Sequence, residues 1–249
     1  MNKKGVTLLE LIVYMALAAL VMVPIAMLMQ NSSMTMARDS AHTNLRMSGR
    51  DILNIMYDDL KNTGFKLNPR TFSEIYGITY APNDKSSFMP KDSSYYDGLT
   101  VRMAKLHPDG ALDTIAPTNN SAAIYEIAYF LQGSNLIRAV SRSGDPQPEK
   151  ILADNVAALQ FQYSEDMTPA NVSNQNTAWV NLPTVTGNPS KANIQFIKIS
   201  IVLKDDKRLA QTKAERQIDV GGDTLKVPAG NLELYELHSI VVPIPNNGL

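Results

Sequence analysis

A single acidic side chain, Glu10, lies inside a long apolar run near the amino terminus. Residues 11–29 contain no charge, and Gly5 stands five positions before the glutamate. An ionised carboxylate within a bilayer costs roughly 2.5–3.5 kcal/mol on insertion scales, so such a group is normally paired with a cation or neutralised. The sequence therefore predicts either a positive charge close to Glu10 or a protonated carboxyl group.

Cleavage after Gly5 would supply that positive charge. No small-x-small signal peptidase site follows the apolar run in a polar setting. If the chain is cleaved, the sequence favours the junction at Lys3, Lys4 and Gly5, ahead of the apolar run. Val6 would then carry a free amine about one helical turn from Glu10. The amine of one subunit could instead meet the carboxylate of a neighbour when many such helices pack together. The glutamate would then set the register of the subunits, as buried polar residues do in coiled coils.

The apolar run is long enough to cross a hydrocarbon layer, which takes about 20 residues as helix. Lys3 and Lys4 precede it and, by the positive-inside rule, stay cytoplasmic. We expect residues 1–5 to be a leader, residues 6–30 a transmembrane or filament-core helix, and residues 31–249 a head outside the cytoplasm. The simpler alternative is a signal anchor in which the glutamate has no role.

The helical pattern continues well beyond the apolar run. Pro24 is the only strong helix breaker before Asn62, and it predicts a kink or local melting between Leu20 and Pro24. We expect one helix of more than about 50 residues, with Gly64 able to supply its cap. The second half of this helix carries one apolar face, which we assign to Leu45, Ile52, Met56 and Leu60, with Ile55 and Ser48 filling the same face.

Past Gly64 the hydrophobic period changes from helical to two. Six strands are predicted, at residues 98–104, in a hairpin at 123–142, and at 156–164, 194–205 and 232–244. A helix followed by strands with hairpin connections predicts an α+β domain, whose antiparallel sheet covers the apolar face of the second half of the helix.

Two long polar loops, at residues 81–98 and 164–193, interrupt the strands. The second contains the only tryptophan, Trp179. A tryptophan in a polar loop can be an exposed recognition anchor, but we favour the interpretation that it tucks back and pins the loop.

No catalytic or cofactor-binding constellation can be assembled. The three histidines, His42, His107 and His238, are isolated from one another, and no phosphate-binding or nucleophile motif is present. The absence of cysteine excludes disulfides and zinc–thiolate sites. A net charge of -1 without a basic stripe gives no sign of nucleic-acid binding.

Two acidic pairs, Asp58–Asp59 and Asp205–Asp206, raise the question of calcium. Adjacent helix positions point in different directions, and neither pair belongs to a loop with acids at alternate positions. We interpret both pairs as solvated faces and expect no metal and no cofactor.

The amino-terminal residues carry a family resemblance. "KKG" followed by "VTLLELIVYMALAAL" resembles the class III signal of type IV prepilins and type II secretion pseudopilins. The resemblance implies cleavage after Gly5 by a membrane prepilin peptidase, N-methylation of Val6, and assembly into a filament in which Glu10 takes part. The first mature residue departs from the pattern, since Phe is usual there, and the disulfide of many pilins is impossible here.

The head resembles the PilW-type minor pilins, with the J-type minor pseudopilins next. The matching positions are Arg50, Asp59, Leu60, Gly64, Leu152, Asn155, Val156, Leu159, Phe161 and Tyr163. This implies a pilin-like fold and a non-enzymatic minor pilin whose partners are other pilin subunits, the prepilin peptidase, an inner-membrane assembly platform and, before assembly, membrane lipid. The alternatives are a type II secretion pseudopilin and a signal-anchored periplasmic binding or adhesion domain.

Overall fold

A single long helix begins the fold. The computed structural model describes residues 8–63, 78–81, 98–104, 124–142, 145–164, 179–181, 194–207 and 214–244. Helix α1 spans Leu8–Leu60 and has 53 residues, which confirms the predicted long helix. It continues through Pro24 without interruption, so within this described helix the local melting expected there does not occur, and a kink stays a prediction.

Helix α1 is divided into an exposed and a packed half. No residue of the segment 8–40, which we call the stem, is buried. The packed half, residues 41–60, places one stripe in the core, made up of Ala41, Leu45, Gly49, Ile52, Leu53, Met56 and Leu60. This confirms four of the residues assigned to the apolar face.

Two residues were assigned to the wrong face of the packed half. Ile55 is 41% exposed, and Ser48 is exposed as well. The buried stripe advances by three or four residues from Ala41, and both residues lie on its flank. The sequence pattern included Ile55 because it is apolar, whereas the glycine at position 49 is what faces the sheet.

The described strands form two antiparallel sheets and a separate hairpin. The first sheet has the order β1-β2-β3-β4-β5, with β6 also paired to β4. The second has the order β12-β9-β7-β8, and β10 pairs with β11. Their bounds are Ile78–Ala81 (β1), Gly98–Ala104 (β2), Ile124–Gln132 (β3), Asn135–Arg142 (β4), Asp145–Pro146 (β5), Lys150–Ala153 (β6), Val156–Ser164 (β7), Val180–Asn181 (β8), Phe196–Asp205 (β9), Arg216–Val220 (β10), Asp223–Val227 (β11) and Leu234–Pro243 (β12).

All six predicted strands are confirmed, as β2, β3, β4, β7, β9 and β12. The strands that sequence reasoning missed are short or mostly polar. In the β10–β11 hairpin the turn residues Gly221 and Gly222 have φ of 64° and 91°, which L side chains rarely adopt, so glycine suits this two-residue turn.

Both sheets and the packed half share one core. Strands β12 and β9 lie against α1, while Gly221 of the β10–β11 turn lies close to Gln160 and Gln162 of β7. Residues of β2 and β3, such as Leu99 and Tyr129, join the same hydrophobic cluster as Leu60. The α+β class and the packing of the second half of the helix on an antiparallel sheet are therefore confirmed.

Helix α1 approaches β12 closely at Gly49. A Cβ built on this glycine would lie 2.3 Å from Cδ2 of His238, far inside the contact distance of two carbons. The absence of a side chain at Gly49 therefore makes room for the imidazole between helix and strand.

Replacing Gly49 by alanine is expected to destabilise the head. Overpacking costs about 1–3 kcal/mol, against a gain of about 1 kcal/mol from alanine's helix propensity. In a His238→Ala background the overlap is gone, so the same substitution should stabilise by up to about 1 kcal/mol. Urea unfolding of the full chain in detergent measures both effects, with the exposed Ser48→Ala as a control. The same sign in both backgrounds would contradict this packing.

Candidate assembly site

The stem is a helix whose apolar side chains face outward on every side. Large hydrophobic residues from Leu8 to Met36 are 47–78% exposed. Among the described residues, α1 is the one helix long and apolar enough to cross a membrane. Leaving one large apolar side chain in water rather than burying it costs about 1.5–3 kcal/mol. The stem therefore requires lipid or neighbouring subunits around it.

Glu10 lies in the first turns of the described helix and is exposed. The Tyr14 hydroxyl, one turn further along, donates a hydrogen bond of 3.4 Å to Oε1 of Glu10. The other predicted site residues at the amino terminus, Lys3, Lys4, Gly5 and Val6, lie outside the described residues.

The packed half of α1 is held to β12 by a charged contact that sequence reasoning missed. Glu236 Oε1 accepts a hydrogen bond from Arg46 Nε at 2.9 Å, and Oε2 lies 3.3 Å from His42 Nδ1. Burial alone would raise the pKa of Glu236, but the hydrogen bonds and charges of Arg46 and His42 outweigh it and hold that pKa below its usual range. The carboxylate thus stays ionised and joins two turns of the helix.

His238, two residues further along β12, faces the helix as Glu236 does. Burial lowers the pKa of His238 despite the nearby Glu236 charge, so the imidazole is neutral at pH 7. Its Nε2 is buried and has no hydrogen-bond partner among the described residues. Side chains alternate between the two faces of a strand, so Glu236, His238 and Ile240 share one face of β12. This alternation could have predicted that both polar residues face the helix.

A second charged contact fixes the last turn of α1 to the first sheet. Asp59 Oδ2 accepts hydrogen bonds from Arg138 Nε at 2.8 Å and from the Tyr129 hydroxyl, while Oδ1 accepts from Arg138 Nη2 at 3.2 Å. Burial, together with the Asp59 charge, raises the pKa of Tyr129 far above its ordinary value, so the hydroxyl remains a donor.

The same contact supplies a cation to the end of the helix. The last turn of α1 has no basic residue of its own, although the carbonyl ends of a helix favour positive charge. Arg138 of β4 brings a positive charge to this last turn through its hydrogen bonds to Asp59. Burial alone would lower the pKa of Arg138, but the hydrogen bonds and charge of Asp59 outweigh it and raise that pKa, which keeps the guanidinium charged. The described chain then turns at residues 61–63, and Gly64, the expected cap, lies outside the described residues.

The interpretation of the acidic pairs as solvated was half right. Asp58 is exposed and pairs with Lys61 at 2.6 Å, but Asp59 is partly buried in the contact with Arg138. Asp206 pairs with Lys204 at 3.0 Å on the surface. Within the described residues no group of three or more His, Asp or Glu side chains is arranged to bind a metal ion.

Trp179 stands immediately before the short strand β8. It is half-buried, and the Lys198 ammonium lies 5.9 Å from the centre of its ring. This contact with β9 favours the interpretation that the tryptophan pins its loop. The neighbouring residues 165–178 and 182–193 lie outside the described residues.

Replacing Asp59 by asparagine is expected to cost about 2 kcal/mol of stability, because Arg138 loses its charged acceptor in a half-buried position. The adjacent Asp58→Asn is the matched control and should have little effect, since its partner Lys61 is in solvent. Urea unfolding of both variants gives the comparison. Equal losses would show that the Asp59 contact is no stronger than a surface ion pair.

Two family models match the chain. Residues 1–26 match the Prokaryotic N-terminal methylation motif, and residues 124–246 match Type IV Pilus-assembly protein W. No curated protein sequence gives a match to this chain.

Three solved structures are similar to this chain, and the first of them confirms the pilin-like fold class. A type IV-like pilin from Thermus thermophilus has a TM-score of 0.50 at 15% identity, over 82% of this chain and 98% of that chain. A binary complex of two pseudopilins from the Type 2 Secretion System of Vibrio vulnificus gives 0.40 at 15% identity, over 66% and 88%. The GspK-GspI-GspJ complex from the Type 2 Secretion System of enterotoxigenic Escherichia coli gives 0.37 at 12% identity, over 64% of this chain and 87% of that chain.

The two family matches and the type IV-like pilin structure agree with the helix and sheets described above. The methylation motif covers the start of the exposed helix, and the second family model covers most of both sheets. The chain therefore belongs to the type IV prepilin-like proteins, and its function is that of a minor type IV pilin of the PilW type, a structural subunit that takes part in pilus assembly.

Proposed function

We propose that the chain is cut after Gly5 by a prepilin peptidase, methylated at Val6, and inserted through its stem before it joins a pilus. The observation that carries this proposal is the 53-residue helix itself, whose first half is exposed on all sides and whose second half is built into the head. Such a helix connects an apolar environment to a folded head without a flexible joint.

Before assembly, membrane lipid surrounds the stem, and the lysines of the leader face the cytoplasm. The head then lies on the other side of the inner membrane. During assembly, other pilin subunits replace lipid around the stem, and an inner-membrane assembly platform moves the subunit outward. Because lipid and neighbouring stems are both apolar, this exchange costs little free energy.

Glu10 gives the exchange its specificity. The carboxylate lies exposed on the stem, and the Tyr14 hydroxyl donates a hydrogen bond to it at 3.4 Å. The amine of Val6 on an adjoining subunit would pair with it only at one axial offset between the stems. The pair therefore favours the assembled register over other offsets.

The head acts as a structural unit and not as an enzyme. Its conspicuous charged contacts, Glu236 with Arg46 and Asp59 with Arg138, join the helix to the two sheets. They fix the direction in which the head stands on the stem, which is what a subunit at a defined place in a pilus needs.

Processing can be tested on the mature protein. We expect mass spectrometry of the membrane-purified chain to show an amino terminus at Val6 with one added methyl group, and Gly5→Leu to keep the leader attached. Asn54→Leu, at an exposed position of the packed half of α1, controls for general effects of an added leucine. A mature chain that still begins at Met1 would overturn the processing step.

The register role of Glu10 can be tested separately. Glu10→Gln keeps the size of the side chain and removes its charge, so we expect normal cleavage but at least about tenfold less incorporation into pili, because the paired amine loses its counter-charge. Tyr14→Phe removes the local hydrogen bond alone and should assemble normally. Immunoblots of sheared pili measure both, and unchanged incorporation of Glu10→Gln would contradict the role.

A further inference from the structure

A groove of about 680 Å³ runs along one flank of the packed half of α1. The helix contributes residues at every third or fourth position, the β6–β7 turn forms the opposite side, and the end of β9 closes it. Its floor is apolar and includes Leu45, Ile52 and Leu203. Ile55, 41% exposed, stands at its edge.

The edge of the groove carries an excess of acidic residues. Asp51, Asp154, Asp205 and Asp206 line it, against Lys204 and Lys207. Lys204 is already paired with Asp206 at 3.0 Å. Asp51 and Asp154 have no ion-pair partner in the part of the chain that the structure describes. Two uncompensated carboxylates beside an exposed isoleucine are complementary to a partner surface that carries basic side chains with long alkyl parts.

The other flank of the same helix carries the opposite charge. Thr43, Arg46 and Arg50 follow one another at spacings of three and four residues and therefore share a face. All three are exposed. Arg46 holds Glu236 yet keeps 68% of its side chain in solvent, and Arg50 has no hydrogen-bond or ion-pair partner among the described residues. We call this face the basic flank.

The groove and the basic flank lie at the same height on opposite sides of the buried stripe. Asn44, Ser48 and Asp51 on the groove side alternate along the chain with Thr43, Arg46 and Arg50 on the other. Two copies whose stems lie parallel in one membrane share depth and direction. The acidic groove of one copy then faces the basic flank of the next without any axial shift.

We propose that the groove receives the basic flank of a second copy of this chain, side by side in the membrane. The contact is head to tail, so each copy offers one groove and one flank, and a row of copies can grow at either end. Ile55 of one copy would be covered by the alkyl part of the neighbour's Arg50, while Asp51 and Asp154 pair with its guanidinium. This inference rests on the proposed function, since insertion of the stem aligns the copies.

Cysteine crosslinking in cells tests the contact directly, because the native chain has no cysteine. Asn44→Cys in one tagged copy and Thr43→Cys in a second, differently tagged copy place thiols on the two facing flanks. With a short bismaleimide we expect a heterodimer band when both copies are expressed together and none from either copy alone. Met47→Cys in both copies is the control, since Met47 is 62% exposed and lies on neither flank.

Charge-reversal variants test whether the acidic and basic residues of the two copies face each other. Asp51→Arg in the Asn44→Cys copy should lower the crosslink yield at least about fivefold, because like charges then face each other. Arg50→Asp in the other copy should restore most of it. Asp154→Lys provides a second reversal outside the helix, should the first variant not accumulate.

Several outcomes would overturn the inference. They are no heterodimer, an equally strong Met47 crosslink, a homodimer from the Asn44→Cys copy alone, or a crosslink to a chain of different mass. Mass spectrometry of the same samples reads the amino terminus. A chain that begins at Val6 in the membrane but fails to crosslink refutes the second-copy contact and leaves the proposed function intact, whereas an uncleaved chain refutes the processing step instead.

Discussion

The structure depends on one constraint: a continuous helix that its own chain covers only in part. Residues 8–40 expose apolar side chains on all sides, and the packed half begins at Ala41. Burying one large apolar side chain is worth about 1.5–3 kcal/mol, so the stem is stable only when lipid or other subunits surround it. The stem therefore needs surroundings that the described part of the chain does not supply, while charged contacts hold the head in a fixed position on it.

Three contacts give the head its fixed position. Gly49 lets β12 come close to the helix, Glu236 joins that strand to Arg46, and Asp59 joins the last turn to Arg138 on the first sheet. Hydrophobic packing is the dominant stabilising interaction in the shared core, but it does not by itself fix the orientation of the helix relative to the sheets. The two partly buried charge pairs add the directional element, since each is satisfied at one orientation of helix and sheet.

The pattern of apolar residues predicted the long helix and the six longer strands, because both depend on local periodicity that side-chain burial enforces. It could not predict β5 or β8, two residues each, since their pairing depends on partners distant in sequence. It misplaced Ile55, an apolar residue on the flank of the buried stripe. It also misread Asp59, because a carboxylate inside a helical pattern looks solvated until Arg138 from another element is seen beside it.

The sequence by itself determined which end of the chain is long and apolar enough to enter a membrane, and it placed Gly5 and Glu10 within the residues that the methylation motif matches. Only the tertiary structure decided how the strands divide between two sheets, which flank of the helix stays open as a groove, and which charges remain unpaired. Those properties arise from contacts between elements far apart in sequence. A local sequence pattern does not predict which distant side chains make these contacts.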